Sequence, residues 1–227
     1  MEGFLPELVK CAALNPAIPH ICRKHRHFPE VGFVTWDEAT ILYNYGRTLR
    51  DGHFLEVGCW VGWSTLVLAL SGLRLTTVDP VLNGLPQGEA CRSLLRESKM
   101  DAAVKLIGGY SPEAVRKEGE GGMRWDGFFI DGNHEGDAPA LDAMECARFA
   151  SDNCVILFHD LVQPNIASAL SSLREKGWKC GLHYTSQMMG VAWRGNIMPL
   201  NHTPDPKVPW EFLMSSSLKH LHAFARL

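Results

Sequence analysis

From Thr35 to Arg194, short apolar or β-branched runs alternate with stretches of helical periodicity, and this alternation restricts the fold more than any other feature. Strands separated by helices close as a parallel sheet with crossover helices packed against it. Strand signals fall at 53–57, 75–78, 103–107, 127–130, 155–158, 179–184 and 188–193. Helical signals fall at 36–50, 64–70, 89–98, from 111, at 137–149 and at 165–176, with a last one at 210–223. Thr35-Trp36-Asp37-Glu38 has the pattern in which a Thr hydroxyl and a Glu carboxylate three residues later cap each other's free backbone donors, so the first helix starts there. The last two strand runs are separated only by Thr185-Ser186-Gln187, too short for a parallel crossover, which makes them an antiparallel hairpin. The expected architecture is an α/β fold: one doubly wound sheet of seven strands, mostly parallel, with one antiparallel strand in a C-terminal hairpin.

The 227 residues carry 22 Lys+Arg against 25 Asp+Glu, a net charge of −3 that leaves no broad field for nucleic acid or an anionic membrane. The longest apolar runs, such as Cys154 to Phe158, fall far short of a membrane span, and the start lacks a basic segment followed by an apolar one. The seven Cys form an odd set with no Cys-x-x-Cys pair, which fits a reducing, cytoplasmic setting. The expected division is an N-terminal segment 1–34 that serves as a lid or substrate-binding element, a central domain 35–195, and a Pro-rich tail with a helix at 196–227. The tail packs on the domain or on a second copy, giving a homodimer. Arg23-Lys24-His25-Arg26-His27 reads as a solvated surface stretch. His20, Cys22, His25 and His27 are not followed by the second Cys/His pair that a structural zinc needs.

In an open α/β sheet, ligands bind beyond the carboxyl ends of the strands. Those positions hold Glu56-Val57-Gly58, Asp79, Gly108-Gly109-Tyr110-Ser111, Asp131-Gly132-Asn133-His134 and His159-Asp160. Acids after four of five strands would converge at a cost that a purely structural protein has no reason to carry. Glu56-x-Gly58-x-x-x-Gly62 lacks the spacing of a dinucleotide turn, which disfavours an NAD-dependent dehydrogenase. It suits a nucleoside with a small zwitterionic tail: Gly58 admits close backbone approach, and Ser64 and the following helix start offer donors. Asp79 stands where a carboxylate accepts both ribose hydroxyls, its bland alternative being a turn cap. The Trp60/Trp63 pair, Trp125 and Met188-Met189 read as core or wall, although Trp60 lies in the Gly58–Gly62 turn. Phe28, Trp36 and the tail near Trp210 are candidates to cap an acceptor pocket.

Phe54-Leu-Glu-Val-Gly-Cys-Trp-Val-Gly-Trp-Ser-Thr65 resembles the first motif of class I S-adenosylmethionine-dependent methyltransferases, which are Rossmann-like, and in particular small-molecule O-methyltransferases of the catechol and caffeoyl-CoA type. Phe129-Ile-Asp-Gly-Asn-His134, Leu157-Phe-His-Asp160 and Met189-Gly-Val-Ala-Trp-Arg194 resemble later motifs of a group that includes macrolide-sugar O-methyltransferases and cephalosporin-hydroxylase-like proteins. The resemblance covers about residues 31–195. It implies that Glu56, Gly58, Trp60, Gly62 and Ser64 bind the methionine part of S-adenosylmethionine, that Asp79 holds the ribose, and that Gly109, Tyr110 and Ser111 frame the adenine. It further implies that Asp131 lies beneath the sulfonium, that Asp131, His159 and Asp160 bind a divalent metal, Mg²⁺ or Mn²⁺, and that His134 is the catalytic base.

The chemistry asks for such groups independently, since a neutral alcohol is a poor nucleophile until its proton is removed or a metal lowers its pKa. His159 departs from an all-oxygen Mg²⁺ site: it either ligates a softer metal or supports the site from behind. The leading expectation is methyl transfer to a hydroxyl of a small-molecule acceptor. The alternatives are a metal-dependent hydroxylase or hydrolase of the cephalosporin-hydroxylase-like type, and a catalytically silent module that binds the cofactor alone.

Overall fold

The structure, a computed structural model, describes residues 9–11, 20–22 and 34–227. The basic cluster 23–27, the imidazoles of the zinc reading and the lid candidates Phe28 and Trp36 lie outside what it describes at side-chain level. The chain divides into two compact units, Met1–Tyr110 and Ser111–Leu227, a boundary inside the expected 35–195 domain.

In the first unit, β1 (Val9–Cys11) pairs antiparallel with β2 (His20–Cys22), which pairs antiparallel with β3 (Val34–Thr35). The predicted capping box is present at the start of α1 (Trp36–Thr48): the Thr35 hydroxyl accepts from the Glu38 N–H and the Glu38 carboxylate accepts from the Thr35 N–H at 2.9 Å. Next come β4 (His53–Val57), α2 (Trp63–Leu70), β5 (Arg74–Asp79), α3 (Pro86–Glu97) and β6 (Val104–Gly108). These strands pair in parallel in the order β4-β5-β6. Phe54 to Val57 are buried without interruption, as in a strand covered on both faces, and α2 is buried from Trp63 to Ala69.

The second unit continues with α4 (Glu113–Glu120), β7 (Trp125–Ile130), α5 (Ala138–Arg148), β8 (Ala150–Phe158), α6 (Pro164–Glu175), β9 (Lys179–His183), β10 (Met189–Arg194), α7 (Trp210–Ser216) and β11 (Ala225–Arg226). Its strand order is β11-β9-β10-β8-β7. β7 and β8 are parallel, whereas β10 lies between β8 and β9 and is antiparallel to both. The hairpin is therefore present, but it is not the end of the sheet. β11 adds parallel to β9, so besides the small sheet β1–β3 the described strands of the main sheet number eight, β4 to β11, and the expected count of seven is corrected. The C-terminal helix is shorter than the expected 210–223: α7 stops at Ser216, and the last residues leave it to pair as β11, which a pattern search for amphipathic helix could not separate. Trp125, Phe128, Phe129 and Phe158 are fully buried, with the Trp125 ring centroid 5.8 Å from Phe128 and 6.5 Å from Phe149. Each such side chain contributes roughly 1.5–3 kcal/mol by leaving water. Met188 and Met189 are core residues as expected, and the five cysteines whose side chains are described are free. No helix among the described residues is long and apolar enough to cross a membrane.

Candidate functional site

Because β4, β5 and β6 are parallel, their carboxyl ends bring Gly58, Asp79 and Gly109 to one edge of the first unit. The turn after β4 needs its glycines: Gly58 has φ 87° and Gly62 has φ 93°. A Cβ on Gly62 would also stand 2.8 Å from Cys91 Sγ, so both conformation and packing exclude a side chain. Trp60 adopts φ 47° without that freedom and remains 41% exposed, a bulky left-handed residue of the kind that marks functional turns.

Asp79 organises this turn. Its Oδ2 accepts from the N–H groups of Cys59 at 2.7 Å and Trp60 at 3.0 Å, and its Oδ1 accepts from Val81 N–H at 2.9 Å, capping a short 3-10 turn. The cap reading of the sequence is thus realised, and one lone pair on Oδ1 is left for a ligand, too few for both hydroxyls of a ribose. Glu56 is fully buried, and its Oε2 accepts from Thr65 Oγ1 at 2.6 Å and Thr77 Oγ1 at 2.8 Å, tying β4 to α2 and β5. Thr65 closes the first motif without an assigned role and Thr77 lies in no motif, and only the buried acid on β4 could have pointed to them. Ser64 is buried at the start of α2, Gly109 N–H donates to the Asp79 carbonyl, and Tyr110 is exposed. Ser111, the first residue of the second unit, keeps its Oγ buried.

In the second unit the parallel ends of β7 and β8 bring four sequence candidates together. Asp131, His134 and Asp160 each offer a ligand atom within 4.8 Å of the others. His134 Nε2 lies 3.4 Å from Asp131 Oδ1, and its Nδ1 lies 3.6 Å from Asp160 Oδ2. His159, only 2% exposed, sets Nδ1 3.4 Å from Asp131 and 3.2 Å from Asp160, beneath the two carboxylates. Burial works to raise the Asp131 carboxyl, but the charge of His159 and hydrogen bonding to His134 and His159 outweigh it and hold it at about 2. The Asp131 carboxylate in turn raises His134 above its ordinary value against the opposing effect of burial. Asp160 has φ 56°, a left-handed conformation that Asp tolerates better than most residues.

Two side chains at the start of α6 grip His134. Gln163 Nε2 is 3.1 Å from His134 Nδ1, and Asn165 Nδ2 donates to the His134 carbonyl. Sequence reasoning missed both because polar residues around Pro164 read as an ordinary helix start. Chemically, two carboxylates and an imidazole can hold a divalent cation or pass a proton. Both imidazoles reach the two acids, His134 from the partly exposed side and His159 from the buried side.

Residues 55–161 match a family sequence profile described as a methyltransferase domain. No curated protein sequence matches the chain. Among solved structures, an O-methyltransferase from Bacillus cereus in complex with S-adenosylhomocysteine shares 16% identity over 71% of this chain and 82% of its own, with a TM-score of 0.59. The O-methyltransferase TomG from Streptomyces achromogenes, involved in tomaymycin synthesis and solved with S-adenosylmethionine, shares 15% identity over 71% and 82%, with a TM-score of 0.58. A precorrin-6y C5,15-methyltransferase from Geobacter metallireducens shares 13% over 71% and 88%, also at 0.58. Identities this low establish the fold that these enzymes share.

Proposed function

We propose, from the premise that residues 55–161 are a methyltransferase domain, that this chain transfers the methyl group of S-adenosylmethionine to a hydroxyl of a small-molecule acceptor. The observation that carries the reading is the gathering of Asp131, His134 and Asp160 within 4.8 Å at the ends of β7 and β8. In such a transfer the new O–CH3 bond forms as the S–CH3 bond breaks, the electron pair stays on sulfur as a thioether, and the hydroxyl proton must leave. His134 is the group assigned to take that proton: Asp131 raises its proton affinity, and Gln163 and Asn165 fix its ring and backbone.

The donor set, two carboxylates with the buried imidazole of His159 facing both, fits a divalent cation, and Asp131, His159 and Asp160 would hold it, which leaves His134 for the proton. When bound, such an ion lowers the pKa of an alcohol. In the first unit, Gly58, Trp60, Gly62 and Ser64 are assigned to the methionine part of the cofactor, with Glu56 holding the turn's base. Asp79 takes one ribose hydroxyl on the remaining lone pair of Oδ1. Gly109, Tyr110 and Ser111 are assigned to the adenine and Asp131 to the sulfonium end.

The test is methyl transfer from labelled S-adenosylmethionine to a panel of hydroxylated acceptors, with Mg²⁺, Mn²⁺ or EDTA, by wild type and His134→Ala. The reading expects His134→Ala to lose roughly 10²–10⁴-fold in kcat with cofactor affinity unchanged. Full turnover by His134→Ala would remove the base assignment.

A further inference from the structure

Besides the turn that Asp79 organises, the first unit holds a cleft of about 240 Å³ lined by Arg92, Leu95, Arg96, Asp101, Val104 and Leu106. These residues come from the second half of α3, the link that follows it and the first half of β6. The cleft therefore opens near the amino end of β6, away from the carboxyl ends that carry Gly58, Asp79 and Gly109. Pockets that enclose a drug-sized ligand run to roughly 300–1,000 Å³, so this one suits a smaller molecule.

Local sequence builds it. α3 ends in a reversal in which Lys99 takes φ 58°, the Lys99 N–H donates to the Arg96 carbonyl at 3.0 Å and the Met100 N–H donates to the Leu95 carbonyl at 2.8 Å. Asp101 and Arg96 thus line one cleft although the helix ends between them. Leu95 is buried in a cluster with Val81, Leu82 and Cys91, and Met100, Val104 and Leu106 pack against that cluster half-buried. Side chains alternate along a strand, so Val104 and Leu106 share the face toward the cluster and Lys105 stands on the other.

Three charged side chains line the cleft. Arg92 is already engaged: its Nη2 donates to the Leu82 carbonyl at 3.0 Å and its Nε lies 3.5 Å from Glu89. Arg96 and Asp101 are exposed, and neither side chain has a hydrogen-bond or ion-pair partner among the described residues. An opposite pair that shares a small cleft without closing into a salt bridge leaves one cation and one anion open to a ligand. Solvated charges alone bind little, but the apolar floor beside these two gives a ligand area to bury. The strand order ends at β6, and Gly109 N–H donates to the Asp79 carbonyl. By the alternation of a parallel ladder, Lys105 and Ile107 then bond to β5, while the backbone groups of Val104 and Leu106 face outward along the cleft.

We propose that this cleft binds a free α-amino acid with an apolar side chain, its carboxylate on Arg96, its ammonium on Asp101 and its side chain over Leu95, Val104 and Leu106. The site is separate from the methyl-donor turn and does not depend on the methyl-transfer reading. A planar guanidinium takes a carboxylate in a two-bond fork, and a carboxylate accepts from an ammonium. A ligand with only a negative charge would set that charge against Asp101, and one with only a positive charge would set it against Arg96, so the pair selects a zwitterion.

The experiment is ligand-observed NMR on the full chain with L-leucine, L-methionine and L-phenylalanine, against glycine and the N-acetyl and amide derivatives of each, with and without saturating S-adenosylhomocysteine. Wild type is expected to bind at least one of the three, with glycine and both derivatives weaker by about tenfold or more. Arg96→Gln and Asp101→Asn alter exposed side chains, so both should match the parent in Tm, and each should weaken the bound amino acid about tenfold. Binding by either variant as tight as by wild type would overturn the proposal, as would equal binding of the N-acetyl or amide derivative. So would absence of binding to wild type in the millimolar range. Displacement by S-adenosylhomocysteine would overturn it too, because the amino acid would then occupy the methionine part of the methyl-donor site. Retention of the amino acid with S-adenosylhomocysteine present supports it.

Discussion

Asp79→Asn separates the structural from the ligand-binding duty of this residue. The carboxylate accepts three backbone N–H groups, two on Oδ2 from Cys59 and Trp60 and one on Oδ1 from Val81. Asn keeps a single carbonyl oxygen. Directed at Cys59 and Trp60, it retains two bonds without their charge and turns its NH2 on the Val81 N–H, leaving a buried donor facing a donor. Hydrogen bonds to a charged group are worth ~1.5–3 kcal/mol and an unsatisfied buried donor costs ~1–3, so the loss should total about 2–4 kcal/mol. For a chain of this size that lowers Tm by roughly 5–10 °C. The same change loosens the Gly58–Gly62 turn and leaves a weaker acceptor for the ribose, so S-adenosylhomocysteine affinity should fall by about tenfold or more. Thermal unfolding followed by circular dichroism, and calorimetric titration at a temperature where both proteins are folded, read the two effects. A Tm within about 1 °C of wild type together with unchanged affinity would refute the reasoning, because it would mean that the three donors do not depend on the charge.

Gly62→Ala combines a left-handed φ of 93° with a Cβ 2.8 Å from Cys91 Sγ, so the urea midpoint should drop by the equivalent of ~2–4 kcal/mol; a shift below ~1 kcal/mol would show that the turn can relax. Asp142 is pushed by burial from 3.8 up to about 6, so the folded chain holds this proton more tightly than the unfolded one. Its contribution to stability is full below about pH 4, falls as pH rises to about 6, and stays low above, a change of up to ~3 kcal/mol. Asp142→Asn should flatten that part of the pH profile and be more stable than wild type at pH 7, and urea unfolding at pH 4, 6 and 7.5 checks both.

Most strands and helices were legible because each carries its own period and punctuation: the Thr35 capping box, the apolar run ending at Phe158, and the three-residue link that forces a hairpin. What was not legible depends on distance in sequence. The position of β10 between β8 and β9 is set by register, not by the hairpin's own residues, and β11 is two residues whose pairing with β9 leaves no local pattern. At the candidate site, the acids and imidazoles after β7 and β8 could be found because strand ends concentrate ligands, and all four do meet. Which imidazole faces outward could not, since His134 and His159 differ only in the burial that the fold imposes. Gln163 and Asn165 looked like ordinary helix-start residues, and only the folded chain shows that they hold His134.

Methyl-donor binding at the strand ends is tested by calorimetric titration of the purified protein with S-adenosylhomocysteine, in Mg²⁺, in Mn²⁺ and in EDTA, with NAD⁺ as control. The expected result is micromolar binding of the thioether, none of NAD⁺, and a heat of metal binding that disappears in Asp131→Ala. No binding of S-adenosylhomocysteine under any of these conditions would contradict the methyl-transfer reading, because the Gly58–Gly62 turn and the Asp79 clamp would then serve the fold alone.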